Sequence, residues 1–224
     1  MNYKTLPLKQ KATLIADLLE KDYPKVETPL IHKNEFELLI ATILSPQTKD
    51  ETTNQVTPSL FSKYPTAKEL SKANVEDVEN IIRLVNYYKN KAKHVVATAN
   101  MLIEEFGGQV PKTMDDLIQL PGVGRKVANV VINEWFVKNG LADPDGFVID
   151  THVLRVSKRL GLTENTTPEK VEKDLMALFP KKDWDKISLR LIFHGREWSQ
   201  AKSPRYMEHP NTKWREIYKE VNQN

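Results

Sequence analysis

Lys126 and Asp150 are the residues whose types and surroundings could do covalent chemistry. Lys126 follows the run Leu120-Pro121-Gly122-Val123-Gly124-Arg125, in which Gly124 opens a helix and leaves the lysine in its first turn. The positive end of a helix and a neighbouring guanidinium both disfavour an ammonium ion, which favours the free amine. Such an amine is a nucleophile, suited to forming a Schiff base with an electrophilic sugar or carbonyl carbon. The same position also fits a solvated lysine that touches phosphate. Asp150 follows the apolar run Phe147-Val148-Ile149 and precedes Thr151-His152, the setting of a helix N-cap. Backbone N–H groups would keep its carboxylate ionised, able to take a proton or to stabilise positive charge developing on a sugar. A cap with no further role has the same sequence. The stretch between the two residues is long enough for one helix, one loop and a return, so both could serve one reaction.

Two pieces of chain must position them. Met114 to Leu120 reads as a first helix, Pro121-Gly122 as a tight turn, and the second helix runs to about Val137 with Val127, Val130 and Val131 as its apolar stripe. Gly122 and Gly124 take side chains away where the backbone turns, so successive N–H groups at the helix start are bare and can meet a phosphate oxygen. An ordinary turn between two helices can look the same. The other piece is the helix from His152 to Leu160, stopped by Gly161.

The remaining elements are also helical. Glu35 to Ser45, capped by Asn34, is apolar around most of its circumference and reads as a central buried helix, with Ser45-Pro46-Gln47-Thr48-Lys49-Asp50 as its exit. Thr66 caps a short helix to Ser71, and Asn74 starts another whose inward stripe is Val75, Val78, Ile81, Ile82 and Val85. Asn86-Tyr87-Tyr88 interrupts it before a helix that ends at Phe106 on Gly107-Gly108. Pro168 to Phe179 and Trp184 to His194 are further helices. A polar, aromatic tail follows up to a last helix over 212–221. The expected fold is all-α, roughly ten helices in two lobes.

Composition narrows the chemistry. With 40% hydrophobic and 28% charged residues, the chain is expected to fold around a core. A net charge of +3 permits a nucleic-acid partner without requiring one. There is no cysteine, which removes disulfides, thiolate zinc sites and cysteine-held iron–sulfur clusters. His32, His94, His152, His194 and His209 lack metal-ligand spacing, so no metal site is expected. Lys89, Lys91 and Lys93 beside Tyr87 and Tyr88 combine cations with rings, as nucleic-acid surfaces and solvated helix starts both do. No apolar run is long enough for a membrane span, and a cytosolic protein is expected, or a nuclear one if the source has a nucleus.

Leu120 to Val131, followed by Val148-Ile149-Asp150-Thr151-His152-Val153-Leu154-Arg155-Val156, closely resembles the endonuclease III branch of the helix-hairpin-helix DNA glycosylases. Phe36 to Ala41 with Leu44-Ser45-Pro46-Gln47-Thr48-Lys49-Asp50, then Tyr88 to Ala92 and Leu191 to Arg196, stand in the family's order at similar spacings, so the likeness covers about residues 30 to 205.

The resemblance implies a six-helix barrel lobe over 30–138, carrying the helix-hairpin-helix over 114–137. A second lobe would comprise 1–29 and 139–224, with a cluster-less loop over 196–215 and a DNA-binding cleft between the lobes. It implies a monomer, cytoplasmic and nucleoid-associated, that binds double-stranded DNA with damaged bases or abasic sites and flips the lesion nucleotide out. By that likeness Lys126 attacks the sugar C1′ and expels an oxidised pyrimidine, and Asp150 assists amine activation and base departure. Gly122, Val123, Gly124 and Arg125 hold the phosphate, with His152 beside them in the DNA-binding set. Gln47 fills the gap left by the flipped nucleotide, and β-elimination then nicks the strand. Two features depart from the family. Its four-iron cluster is held by cysteines whose aligned positions here are Ser199, Tyr206, His209 and Arg215. The cluster is therefore expected to be absent, with Trp198, Tyr206 and Trp214 packing in its space. Tyr87 stands where the branch has an aliphatic wedge, which leaves the opposite base and the substrate range open. Two other readings remain: a glycosylase for alkylated or mismatched bases with little or no lyase activity, and a non-catalytic DNA-binding module.

Overall fold

A computed structural model describes residues 2–222. All regular structure among them is helical, with no strand. The chain divides into two compact units, Thr28–Asp145 and the pair of segments Met1–Glu27 and Gly146–Asn224.

The unit over 28–145 is organised around α2 (Glu35–Leu44), in which every residue from Phe36 to Leu44 is buried. Asn34 starts it as expected, its side chain accepting from Glu37 N at 2.8 Å. Around α2 lie α3 (Asp50–Lys63), α4 (Ala67–Ser71), α5 (Val75–Ile81), α6 (Tyr88–Phe106), α7 (Met114–Leu117) and α8 (Arg125–Val131). Leu39, Ile40, Ile43 and Leu44 meet Leu60, Leu70, Val78, Val95, Leu102, Leu117, Ala128 and Val131 in one continuous apolar core. Thr66 and Asn74 cap α4 and α5.

Three details of this unit differ from the sequence expectation. Helix α5 stops at Ile81, and Ile82 and Val85 reach the core from turns. Helix α7 stops at Leu117, because the chain must turn to bring Leu120 inward and start the hairpin. Helix α8 continues from Ile132 to Val137 as a π-helix. The boundaries also lie outside the expected 30–138. Thr28 N donates to Glu134 Oε2 at 3.0 Å, and Asn54 Nδ2 to the Pro29 carbonyl at 2.8 Å. At the other end, Leu141 N donates to the Phe136 carbonyl at 2.7 Å and Ala142 packs on the apolar core.

The second unit combines α1 (Leu8–Asp22) with α9 (Thr151–Arg159), α10 (Pro168–Leu178), α11 (Trp184–Glu197) and α12 (Thr212–Asn222). Its core includes Ile15, Leu19, Phe147, Val153, Val156, Val171, Leu175, Leu191, Trp214, Ile217 and Tyr218. Gly195 lets α11 lie against α9, since a Cβ there would fall 2.9 Å from Val156 Cγ2 and 3.0 Å from His152 Cβ. Helix α11 runs three residues beyond the expected His194, so the irregular tail is shorter than expected and contains one 3-10 turn, Tyr206–Glu208.

Candidate functional site

The hairpin is a glycine-punctuated turn braced from behind by α6. Val123 N donates to the Leu120 carbonyl at 3.0 Å, closing the turn, and Thr98 Oγ1 donates to the Pro121 carbonyl at 2.8 Å. Gly122 sits at φ +79°, and a Cβ there would lie 2.9 Å from His94 Nδ1 and 3.1 Å from His94 Cβ. Both the backbone conformation and the imidazole behind it demand glycine. Gly124 is different: its φ is −96°, and a Cβ would meet nothing within 4 Å. It is bare on an open side.

Gly124 is also the N-cap of α8, and no side chain caps this helix. The first N–H to close a helical bond belongs to Ala128, which donates to the Gly124 carbonyl at 3.0 Å. The hairpin thus presents backbone N–H groups at a helix start beside the exposed side chains of Arg125 and Lys126. Val123 and Val127 are buried and anchor the two sides of the turn. Lys126 is solvent-exposed at the second position of α8.

Asp150 belongs to the other unit and is the N-cap of α9. Its Oδ1 accepts from His152 N at 2.8 Å and Val153 N at 2.9 Å, which leaves Oδ2 outside the cap. The preceding extended run is fixed by Phe147 N donating to Glu172 Oε1 at 3.2 Å and Ser188 Oγ to the Val148 carbonyl at 2.7 Å. His152 is half-buried, and its Nδ1 lies 3.0 Å from Arg155 Nη2. A guanidinium only donates, so Nδ1 accepts in that contact, and the ring also hydrogen-bonds the Gly195 backbone. Burial holds the His152 pKa below its usual value against the opposing pull of Asp150, and Arg155 and Arg196 push the same way as burial. Arg155 also donates to the carbonyls of Ser199 at 2.8 Å and Gly195 at 3.2 Å, tying α9 to the end of α11.

Gln47 and Tyr87 both adopt left-handed backbone conformations, at φ +57° and +59°. For residues with long side chains this conformation costs on the order of 1 kcal/mol or more, and it persists only where surrounding contacts impose it. Gln47 is exposed, and Tyr87 is 64% exposed at the N-cap of α6. The side-chain amide of Asn86 donates to the Gln47 carbonyl, and Asn86 N to Thr48 Oγ1 at 3.2 Å.

Lys91 is not part of a solvated basic strip with Lys89 and Lys93. It is buried, and its Nζ donates to the carbonyls of Leu44 at 2.7 Å and Pro46 at 2.6 Å and to Thr48 Oγ1 at 3.2 Å. Burial lowers its pKa to about 8. The sequence signal was its spacing, because Lys91 shares the inward stripe of α6 with Val95, Thr98 and Leu102.

The positions aligned with the family's cluster ligands do not fit an iron–sulfur cluster. None carries a thiolate, and their space is wired by rings and hydrogen bonds. Ser199 is buried, its carbonyl accepting from Arg155 and from Arg159 Nη1 at 3.1 Å. The His209 ring lies 4.6 Å from Trp198, Trp214 lies 4.3 Å from His194, and Tyr206 stacks on Tyr218 at 4.2 Å. Arg215 Nη1 donates to the His209 carbonyl at 2.6 Å. Among the described residues no group of three His, Cys, Asp or Glu side chains could hold a metal ion, and no helix is long and apolar enough to cross a membrane.

Comparison with known proteins places this geometry. The sequence pattern of the HhH-GPD superfamily base excision DNA repair proteins matches residues 40–181. Endonuclease III of Synechocystis is 43% identical over 196 residues, which is 88% of this chain and 87% of that protein. Endonuclease III of Bacillus subtilis is 43% identical over 189 residues, 84% of each chain. Among solved structures, a trapped endonuclease III–DNA covalent intermediate matches with a TM-score of 0.85 at 40% identity, covering 96% of this chain and 99% of that one. A non-covalent endonuclease III–DNA complex matches with a TM-score of 0.86 at 39% identity, covering 98% and 100%.

Proposed function

The chain belongs to the HhH-GPD superfamily of base excision DNA repair proteins, within its endonuclease III branch, and on that footing we propose that it excises oxidised pyrimidines from double-stranded DNA through a Schiff base on Lys126. The family makes it a DNA glycosylase with abasic-site lyase activity. The lesion class, the covalent step and the residue roles are our reading of the site.

In that reading Asp150 takes a proton from the Lys126 ammonium through the oxygen left outside its cap. The amine forms a bond to C1′ of the flipped nucleotide, and the glycosidic bond breaks with its electron pair leaving on the base, which takes up a proton. Opening of the sugar ring gives the imine. Loss of a proton from C2′ then expels the 3′ phosphate and cuts the strand. The hairpin N–H groups at Gly124, Arg125 and Lys126 hold a backbone phosphate, and His152 belongs to the same DNA-binding set. Gln47 enters the gap left by the nucleotide, and Tyr87 stacks on the orphaned base. The protein acts as a monomer without a cluster, its C-terminal unit held by the ring stack around His194 and Trp214.

The observation that carries this reading is an exposed lysine in the first turn of a helix whose glycine N-cap faces open space. The experiment is a panel of duplexes, each with a single oxidised, alkylated or mismatched base, assayed separately for base release and strand nicking. Release and nicking of oxidised pyrimidines with retention of methylated purines supports it. Release of alkylated or mismatched bases without nicking supports the lyase-deficient alternative.

A further inference from the structure

The strain at Gln47 and Tyr87 is shared by one connected piece of structure. Gln47 lies in the exit from α2, and Tyr87 caps α6 far away in sequence, yet Asn86 bonds the Gln47 carbonyl and Thr48 Oγ1. Beneath them sits the Lys91 ammonium. Its three protons meet three oxygens, two of them carbonyls at the end of α2 and its exit and the third the hydroxyl that also accepts from Asn86. A cation at a helix C-terminus is favoured by the helix dipole, and here it also draws Pro46 and Thr48 around itself. Residues 46 and 48 are therefore pinned on either side of Gln47. Thr48 N also donates to the Ser45 carbonyl at 2.9 Å, and within this closed turn Gln47 takes a left-handed conformation.

We infer that Lys91 is a positioning residue that locks Gln47 and Tyr87 into one rigid probe, so that both enter the duplex together when a nucleotide is extruded. The inference rests on the glycosylase reading above for what the probe enters. The energetic logic is preorganisation. With only the Thr48–Ser45 turn bond to hold Gln47 and nothing to couple it to Tyr87, the two left-handed residues would move independently in the free protein, and aligning both during extrusion would weigh on that step alone. Lys91 holds the pair ready before DNA arrives.

The test compares Lys91→Met with wild type on one thymine glycol placed either in a fully paired duplex or in a short unpaired bubble. Wild type should release the base from both. Lys91→Met should slow single-turnover release from the paired duplex about 10-fold or more, and change release from the bubble by less than about 3-fold, because an unpaired base needs little extrusion. Gln47→Ala should slow wild type on the paired duplex and add nothing in the Lys91→Met background. Amide exchange at Thr48, whose N–H donates to the Ser45 carbonyl, should quicken about 10-fold in Lys91→Met while α2 stays protected. Thr48→Val, which removes an acceptor from both Lys91 and Asn86, should give the same pattern if Lys91→Met does not fold. Equal losses on both substrates, or unchanged exchange at Thr48, overturn the inference and leave Lys91 a helix-end brace. A wild type that releases no base from any lesion overturns the glycosylase reading, whereas quickened exchange at Thr48 would still support Lys91 as the clamp of this loop.

Discussion

Asp150 Oδ1 accepts the Val153 N–H at 2.9 Å together with that of His152, so a single oxygen does all the capping of α9. The two roles open to this carboxylate, cap and proton acceptor, therefore fall on different oxygens and can be separated. Asparagine keeps a capping oxygen but cannot take a proton, and alanine loses both. Asp150→Asn should change unfolding free energy by less than about 0.5 kcal/mol, whereas Asp150→Ala should cost about 1 kcal/mol. Both should lower single-turnover base release by about 100-fold. Denaturant titration alongside release assays separates the two effects. Full activity in Asp150→Asn would make the residue a cap alone.

The hairpin glycines should respond differently to alanine. At Gly124 the added methyl meets no protein atom and the backbone conformation suits any residue. Gly124→Ala should fold with a loss of about 1 kcal/mol or less and bind abasic duplex DNA about 10-fold more weakly at moderate salt. Gly122→Ala must accommodate a left-handed alanine against His94 and should lose about 2 kcal/mol of stability before DNA is added. Filter binding and thermal melting of the two variants check this. Unchanged affinity in Gly124→Ala would remove the hairpin from the DNA interface.

The ring stack that occupies the C-terminal unit makes it sensitive to acid. His194 is buried, its Nε2 lies 2.9 Å from the Tyr218 hydroxyl, and its Nδ1 has no hydrogen-bond partner. Burial, helped by His209, lowers its pKa from 6.5 to about 3. Between those values the unfolded chain binds more protons than the folded one, so this contribution is complete above pH 6.5 and is lost as the pH falls toward 3. By pH 5 the loss from His194 should be about 2 kcal/mol. Burial shifts His209 in the same direction, with Asp22 and Glu197 opposing it. Urea unfolding at pH 7 and pH 5, followed by the fluorescence of Trp184, Trp198 and Trp214 in this unit, should show the drop. His194→Phe should reduce it.

The sequence made the helical architecture readable wherever caps and stripes repeat locally. Asn34, Thr66, Asn74 and Asp150 each start a helix where their side chains predict. The hairpin was legible for the same reason, since glycine and proline act on their own backbone. Lys91 was misread because a lysine beside Lys89 and Lys93 looks solvated until the rest of its helix stripe is followed inward. The left-handed states of Gln47 and Tyr87 were not legible, because Gln47 takes this conformation inside a turn closed by Thr48 N donating to the Ser45 carbonyl at 2.9 Å and held by Asn86, 39 positions away, and no local pattern marks Tyr87. Likewise the ring stack depends on α11 and α12 meeting, which no local pattern encodes; the sequence pointed to Trp198, Tyr206 and Trp214 but not to His194 and Tyr218.

The central claim is that Lys126 forms a covalent imine with DNA, and borohydride reduction during reaction with a duplex containing one abasic site tests it directly. Because Lys126 is exposed on α8, Lys126→Ala should fold with a change in stability of less than about 0.5 kcal/mol, so a loss of reaction is a loss of chemistry. Wild type should give a protein–DNA adduct stable to denaturation, peptide mapping should place it on Lys126, and Lys126→Ala should give none. An adduct formed equally by Lys126→Ala, or no adduct from folded wild type that still releases the base, would contradict the account.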